Sequence, residues 1–483
     1  MNRIHQPLKT LGSAVFAATI LALLFAGLST PAQAQIPNPT EIYDFQGGAT
    51  DVCYPIGTIV EGRDGYIYGT SENLTYGGGD GCGGASGLGG VFKITPDGAE
   101  SLFASVPAGF THCGGGLMLA SDGNFYGTCL TGNPATGFGS IFKVTPEGVW
   151  SDFYDFTNAN GDAYPNFPPI QGVDGNLYGL TGSGSFGSAG TIYKITLTGV
   201  YSNLHTFSGG DAYPYYGNLM QASNGNFYGP IASCPSGGGF GCIFEITPKG
   251  VYKDLYTFTG TPARSPYSTL IQGSTGLLYG ITDSGGSNGQ GIIYSLTTSG
   301  KLKVVYNING SVDGNLTSIL QATDGNFYGA ANTGLDENAG ALYELTAKKS
   351  VMSVFSLPGG GGDGYQPNPL LQHTNGTLYG TTQSCADGCP DYGTFFSLAI
   401  DAKPFVSLQF QSGKEGTSLG IFGQGFQTAP ATEVSFNGVT TSFEIVSDTY
   451  MTATIPTGAT KGYITVVEGK ETLQSNIKFT PKK

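Results

Sequence analysis

Apolar and aromatic residues occur along this chain in short bursts. Each burst ends in a glycine-rich or Asx-Gly break, and no stretch after residue 34 holds a helical period. Residues 268–272, 277–282, 291–297 and 301–308 show the pattern cleanly, as four strand candidates in succession. The first two are joined by a short turn that in other copies reads Asp-Gly or Asn-Gly, residues that tolerate the positive φ of a tight hairpin. A second turn follows the third strand, as in Thr95-Pro96-Asp97-Gly98, Thr145-Pro146-Glu147-Gly148 and Thr247-Pro248-Lys249-Gly250. Segments such as Ile141-Phe142-Lys143-Val144 are apolar at successive positions, so both faces of the predicted sheets are covered by other protein.

This four-strand unit recurs seven times. The hairpin Asp64-Gly65-Tyr66-Ile67-Tyr68-Gly69 has counterparts ending at Gly127, Gly179, Gly229, Gly280, Gly329 and Gly380. Its tyrosine repeats at intervals of 58, 52, 50, 51, 49 and 51 residues. Four antiparallel strands at a period of about 50 residues describe a β-propeller blade. Glu41-Ile42-Tyr43-Asp44-Phe45 matches the fourth strands at 152–156, 203–207 and 254–258, while the seventh copy runs through 394–399 without a fourth strand of its own. The N-terminal strand is therefore expected to complete the last blade and leave no open edge. A right-handed β-solenoid is the alternative, with repeats that are usually shorter and need no such exchange.

The repeats, together with units such as Gly190-Thr191-Ile192-Tyr193-Lys194-Ile195-Thr196, resemble those of bacterial GloVer-type tandem-repeat proteins, a choice-of-anchor family, over roughly residues 41–400. The resemblance implies an exported, surface-associated protein and brings no established activity. Some members end in a sorting anchor, whereas Thr480-Pro481-Lys482-Lys483 carries no hydrophobic tail, which argues against covalent anchoring here. After Asp401-Ala402-Lys403-Pro404 the period stops. Strand-like segments at 406–410, 418–422, 433–436, 450–455, 462–468 and 475–479 predict a β-sandwich. Gly420-Ile421-Phe422-Gly423-Gln424-Gly425-Phe426, Val434-Ser435-Phe436-Asn437-Gly438, Ile455-Pro456 and Gly462-Tyr463-Ile464-Thr465-Val466 resemble an immunoglobulin-like IPT/TIG domain, which implies a spacer or interaction module. The expected fold is all-β: a leader at 1–34, a seven-bladed β-propeller of four-stranded blades at 35–403, and an IPT/TIG β-sandwich at 404–483.

The leader is read from Arg3, His5 and Lys9, an apolar run at 14–28 too short to span a bilayer, and small residues at Ala32-Gln33-Ala34. Cleavage is expected after Ala34, giving a secreted, periplasmic or cell-surface protein with no membrane span. The leader holds Arg3 and Lys9 and no acid, so the net charge of −14 becomes −16 on its removal. Such a balance repels nucleic acid and anionic membranes. Only 11% of residues are charged and 80 are glycine, a composition that alone would point to disorder; the 28 Tyr and 29 Phe supply the surface for a packed core.

All eight cysteines lie after the leader, and an even number in an oxidising compartment favours disulfides. Cys234–Cys242 and Cys385–Cys389 each bracket a glycine-rich loop. Among Cys53, Cys82, Cys113 and Cys129 three pairings exist, of which Cys53–Cys82 with Cys113–Cys129 is the most local. Their spacings do not fit zinc, and no metal or other cofactor is expected.

Chemistry is expected on the face opposite the Asx-Gly turns. There a connection with acid, tyrosine and proline precedes the innermost strand: Asp51 and Tyr54, Asp162 and Tyr164, Asp211 and Tyr213, Asp363 and Tyr365. At a channel mouth these carboxylates would accept sugar hydroxyls and the tyrosines would stack on a sugar face. The competing architectural role, favoured because the feature repeats, is that the acids cap turns and the tyrosines pack between blades. His112, His205 and His373 are too scattered for a metal centre, and no serine elbow or phosphate loop occurs. The reading is thus a non-enzymatic binding or adhesion protein with carbohydrate or a cell-surface protein as partner. A polysaccharide-active propeller lyase or hydrolase and a purely structural surface protein are the alternatives.

Overall fold

A computed structural model describes residues 38–47, 51–72, 89–110, 112–131, 136–158, 162–182, 189–207, 217–234, 238–332, 340–347, 352–357, 365–384 and 392–483. The expected leader, with Cys82, Cys385 and Cys389, lies outside these residues. Seven antiparallel sheets follow one another in sequence, each with strands in the order inner to outer. Blade 1 is Pro55–Glu61, Ile67–Glu72, Gly89–Ile94 and Glu100–Ser105, and blades 2 to 6 repeat that order. Blade 7 takes its outer strand from the other end of the chain. Thr40–Asp44 runs antiparallel to Thr394–Leu398, with Thr40 opposite Ser397 and Asp44 opposite Thr394. The ring is closed as expected, by main-chain pairing between its two ends.

The hairpin sequence explains its own geometry. In six of the seven copies the first residue, Asp or Asn, accepts the main-chain N–H two positions on, as Asp122 does from Asn124 (3.0 Å). The tyrosine four positions on bonds the same side chain, Tyr178 to Asp174 at 2.7 Å for instance. The closing glycine lies opposite an aromatic residue of the third strand: Gly69 faces Phe92, Gly127 Phe142, Gly179 Tyr193, Gly229 Phe244, Gly280 Tyr294, Gly329 Tyr343 and Gly380 Phe396. The ring lies across the glycine so closely that a Cβ on Gly127 would sit 2.2 Å from Phe142. Between blades, Tyr68 packs on Phe125, Tyr178 on Phe227 and Tyr279 on Phe327, with centroids 4.4, 4.2 and 4.6 Å apart. The single Trp150 stacks on Phe142 at 3.9 Å, and His205 stacks on Tyr252 at 3.9 Å; both are packing residues.

Blade 5 departs from its expected inner strand. The ladder next to its hairpin is Ile271–Gln272; above it Ser268 Oγ accepts the Ile281 N–H (3.2 Å), as Ser318 Oγ accepts that of Ala330 in blade 6 (3.1 Å), and Ala263–Pro266 pairs with the far end of the same second strand.

A belt of amides links the blades on the Asx-Gly face. Gln171, Gln221, Gln272, Gln321 and Gln372 end their inner strands. Each donates Nε2 to a glycine carbonyl of its own turn. Each also accepts a main-chain N–H from the preceding blade, at Ser121, Val173, Ser223, Ser274 and Thr323 (2.8–3.0 Å). In blade 1 Glu61 holds the place, accepting the Thr374 N–H at 3.0 Å. In blade 2 the place falls to Leu119, and Arg63 from blade 1 donates to the Ser121 carbonyl instead (2.8 Å).

The C-terminal sandwich pairs one sheet of Ser407–Leu408, Ser418–Phe422, Tyr450–Thr454 and Phe443–Ile445 with another of Val439–Thr441, Ala431–Phe436, Ile464–Glu468 and Glu471–Gln474. Val406, Ile421, Phe426, Val434, Phe436, Met451, Val466 and Phe479 fill the space between. Val439–Thr441, Phe443–Ile445 and Glu471–Gln474 are too short and polar to stand out in the sequence. The final strand is Thr480–Lys482, pairing in parallel with Ser412–Lys414, whereas 475–479 was expected to form it.

Gly127→Ala should destabilise the ring by about 1–3 kcal/mol through overpacking against Phe142, and Gly127→Ala with Phe142→Leu should recover part of that loss in chemical denaturation. Deleting residues 41–46 should lower the midpoint sharply; a small change would mean that this strand does not close the ring.

Candidate functional site

The inner strands surround a channel of about 900 Å³. At its Asx-Gly end it reaches Ser407, Gln409 and Phe422 of the sandwich, so the sandwich lies across that mouth. The docking is specific. Ser447 Oγ and Thr449 Oγ1 both donate to the Arg63 carbonyl (2.6 and 2.7 Å), and the Arg63 guanidinium lies 4.4 Å from the Tyr450 ring centre. Gln424 Nε2 donates to Thr374 Oγ1 (2.7 Å), which in turn donates to the carboxylate of Glu61. Glu61 and His373 are both buried here, with His373 Nε2 at 3.4 Å from Glu61 Oε1. Nε2 of the same imidazole meets the Gly65 carbonyl at 3.2 Å, and Nδ1 accepts the Asn375 N–H at 3.2 Å, so the ring is held neutral. Burial pushes the His373 pKa down and that of Glu61 up to about 7, against the opposing hydrogen bonds from Thr374 and Gln424.

On the opposite, open face Asp51, Tyr54, Asp162 and Tyr164 do not line the channel. Asp51 is 7% exposed and points outward. It accepts the Tyr43 hydroxyl (2.9 Å) and the Gln46 and Val52 N–H groups (2.7 Å each). Burial and Asp51 together push the Glu100 carboxyl up to about 8. Asp162 is 1% exposed and lies beneath Tyr154 and Tyr201, outer-strand rings stacked 5.1 Å apart; burial and Asp162 raise the Tyr154 phenol to about 12. Tyr54 and Tyr164 occupy the left-handed region (φ 51° and 57°) and clamp adjacent blades. The N–H of Tyr54 donates to the Tyr392 carbonyl (2.7 Å) and that of Tyr164 to Phe138 (2.8 Å). Tyr365 begins Tyr365–Pro367, paired with the second strand of its blade. Asp211, Tyr213 and Asp363 fall outside the described residues.

Two copies break the pattern, blade 5 with Ser265 at the left-handed position (φ 55°) and blade 2, which is the informative one. In blade 2 the tyrosine position belongs to His112, left-handed like the others (φ 55°), and the proline position to Cys113, which is bonded to Cys129. Cys234 is bonded to Cys242, and Cys53 is also disulfide-bonded. The sulfurs Cys234 and Cys242 lie with Asp254 close enough for a metal, but their disulfide removes the thiolates a metal would need. His112 Nε2 lies 3.8 Å from Oε1 of Glu72, whose side chain is 9% exposed. Burial raises the Glu72 pKa and the imidazole opposes the rise. Gly114 and Gly115 make the approach possible, since Cβ atoms there would fall 2.9 Å from Glu72 Oε2 and from Thr128 Oγ1. Gly114, Gly115 and Asn166 line the channel. Glu72 Oε1, Thr128 Oγ1 and Asn166 Nδ2 are buried and find no hydrogen-bond partner within the protein. Sequence reasoning missed Glu72; the available signal was a glutamate where the other copies carry Leu130, Gly182, Ala232, Asp283, Asn332 and Gln383.

The family described as Gloeobacter/Verrucomicrobia repeat matches residues 81–286 and 266–424, and the IPT/TIG domain matches residues 405–481. The chain therefore belongs to the Gloeobacter/Verrucomicrobia repeat family and ends in an IPT/TIG domain. No curated protein matches it. Among solved structures it is similar to an extracellular domain from B. thetaiotaomicron (10% identity, TM-score 0.47), covering 81% of this chain and 46% of that one. It is also similar to a chain of the mitotic checkpoint complex (12%, TM-score 0.48; 83% and 99%) and to a gluconolactonase from Xanthomonas campestris (12%, TM-score 0.36; 76% and 97%). The chain thus spans under half the length of the first of these.

Glu61 sets a pH dependence. Its folded pKa, about 7, stands above the ordinary 4.5, so its contribution is full below pH 4.5 and is lost as pH rises towards 7. Glu61→Gln, which installs the belt residue of blades 3 to 7, should remove that loss and exceed the wild type at pH 8 by roughly 1–3 kcal/mol in denaturant titrations. Equal stability of the two proteins at pH 8 would show that the carboxylate is not strained by burial.

Proposed function

We propose that this member of the repeat family is an exported surface-binding protein that takes a carbohydrate at the open mouth of its channel, around Glu72, His112, Thr128 and Asn166. The observation that carries the reading is the set of three buried polar atoms without a hydrogen bond, Glu72 Oε1, Thr128 Oγ1 and Asn166 Nδ2, beside a channel whose other end lies against the IPT/TIG domain. A carboxylate accepts hydroxyl hydrogens and an amide donates to hydroxyl oxygens, and a polyol offers both kinds of group. Burial makes such contacts discriminating, because a ligand without the matching group leaves them unmet. The Cys113–Cys129 bond fixes the loop bearing His112 and suits an oxidising compartment. Among the described residues no helix is long and apolar enough to cross a membrane.

On a glycan array Glu72→Gln and His112→Ala should weaken binding by about 10-fold with unchanged melting temperature. Asp162→Ala should instead lower the melting temperature, since Asp162 lies under the outer-strand tyrosines. Wild-type affinity in both mouth variants would remove the mouth as the site, and turnover of a bound polysaccharide would replace binding with catalysis.

A further inference from the structure

The IPT/TIG domain bonds blades 1 and 7, and its Lys482 lies against Gly225 of blade 4. Beneath blades 3 to 6 this leaves a cleft of about 960 Å³, which shares Ile170, Leu219, Thr269, Ile271, Leu320 and Gln409 with the channel but not the Gly114, Gly115 and Asn166 of its open mouth. Its roof is the amide belt, Gln171, Gln221, Gln272 and Gln321, and its floor is the sandwich segment from Leu408 to Ser412 with Gln474, Ser475 and Asn476. The volume is at the upper end of the usual range for small-molecule sites, about 300–1,000 Å³.

Three groups on the floor have unmet hydrogen-bonding capacity. Ser412 is 1% exposed and its Oγ has no partner; Gln409 Nε2 and Asn476 Oδ1 are likewise buried and unpartnered. All three residues line the cleft. They supply a hydroxyl, a pure donor and a pure acceptor on the sandwich side of the cleft. Buried polar groups left without a partner cost about 1–3 kcal/mol each, so a ligand that meets them gains affinity. Lys403 and Asp401 are the charged residues of the lining, one of each sign, so the cleft has no net preference for an ionic ligand. Tyr463 and the partly buried Phe410 add ring surface.

We infer that this cleft between the propeller and the IPT/TIG domain is a second binding site, for a neutral hydroxyl-rich chain such as a linear oligosaccharide. The amides on its roof and floor are side chains and present no strand edge, so the lining matches hydroxyls spaced along a sugar chain better than the main chain of an extended peptide. The cleft, unlike the open mouth, requires both domains.

The test uses the full-length protein and neutral linear hexaoses of glucose and of mannose, titrated by calorimetry. Ser412→Ala with Asn476→Ala should weaken binding by about 3- to 10-fold per lost hydrogen bond. Melting temperature should not fall, since neither Ser412 Oγ nor Asn476 Oδ1 bonds within the protein. Thr472→Trp, at the cleft wall, should block binding by filling the space, and covers the case in which the double variant is poorly folded. Glu72→Gln should leave this binding intact, which separates failure here from failure of the open-mouth reading. No binding of any hexaose by the wild type at about 10 mM, unchanged binding in both cleft variants, or binding of an extended peptide in their place would overturn the inference.

Discussion

Seven times in this chain a glycine on one strand lies beneath an aromatic ring on the next, and the rest of the ring depends on that contact. The ring can lie flat across the sheet only because nothing projects from the glycine, so the sheet stays thin enough for a neighbouring blade to pack against it. The tyrosine just before the glycine then bonds the turn below it or packs on the next blade. The blade-to-blade spacing, the closure of the ring and the width of the channel all follow from the thickness this pairing sets. It also explains the composition: the glycines and the aromatic residues form one interlocking set.

With repetition assigned to architecture, specificity falls to the departures from it. Tyr54 and Tyr164 are left-handed clamps between blades; His112 keeps the same strained backbone yet puts a titratable ring near the channel mouth. Glu72 stands where its counterparts are shorter or uncharged. Glu61 is the carboxylate beside the five amides of the belt, and it marks where the IPT/TIG domain docks. A sevenfold scaffold has become asymmetric through a few substitutions, and those substitutions gather where ligand or domain contacts occur.

The fold was legible because its determinants are local. The Asx-Gly turns, the tyrosine period and the match between residues 41–45 and the outer strands each fit in a few residues, and together they dictate a closed ring. The amide belt was legible only in part: glutamine recurs three residues before the Asx position, but its acceptor role needs a partner roughly one repeat away in sequence. The surroundings of Asp51 and Asp162 were not legible, because both precede the inner strand in sequence yet turn to tyrosines of the outer strands. The docking of the sandwich has no sequence signature at all. Arg63, Thr374, Gln424 and Ser447 meet only once both domains are folded.

The exchange of the first strand into the last blade carries a consequence for how the chain is made. Thr40 pairs with Ser397, so one of the earliest strands to be synthesised has no partner until nearly the whole propeller exists. At ordinary elongation rates that wait is roughly 20–70 s, during which the unfinished ring exposes a free edge at each end. The ring therefore acts as a check on completeness: a chain truncated before blade 7 leaves its first strand unmatched and open to capture by a chaperone, a protease or another copy of itself.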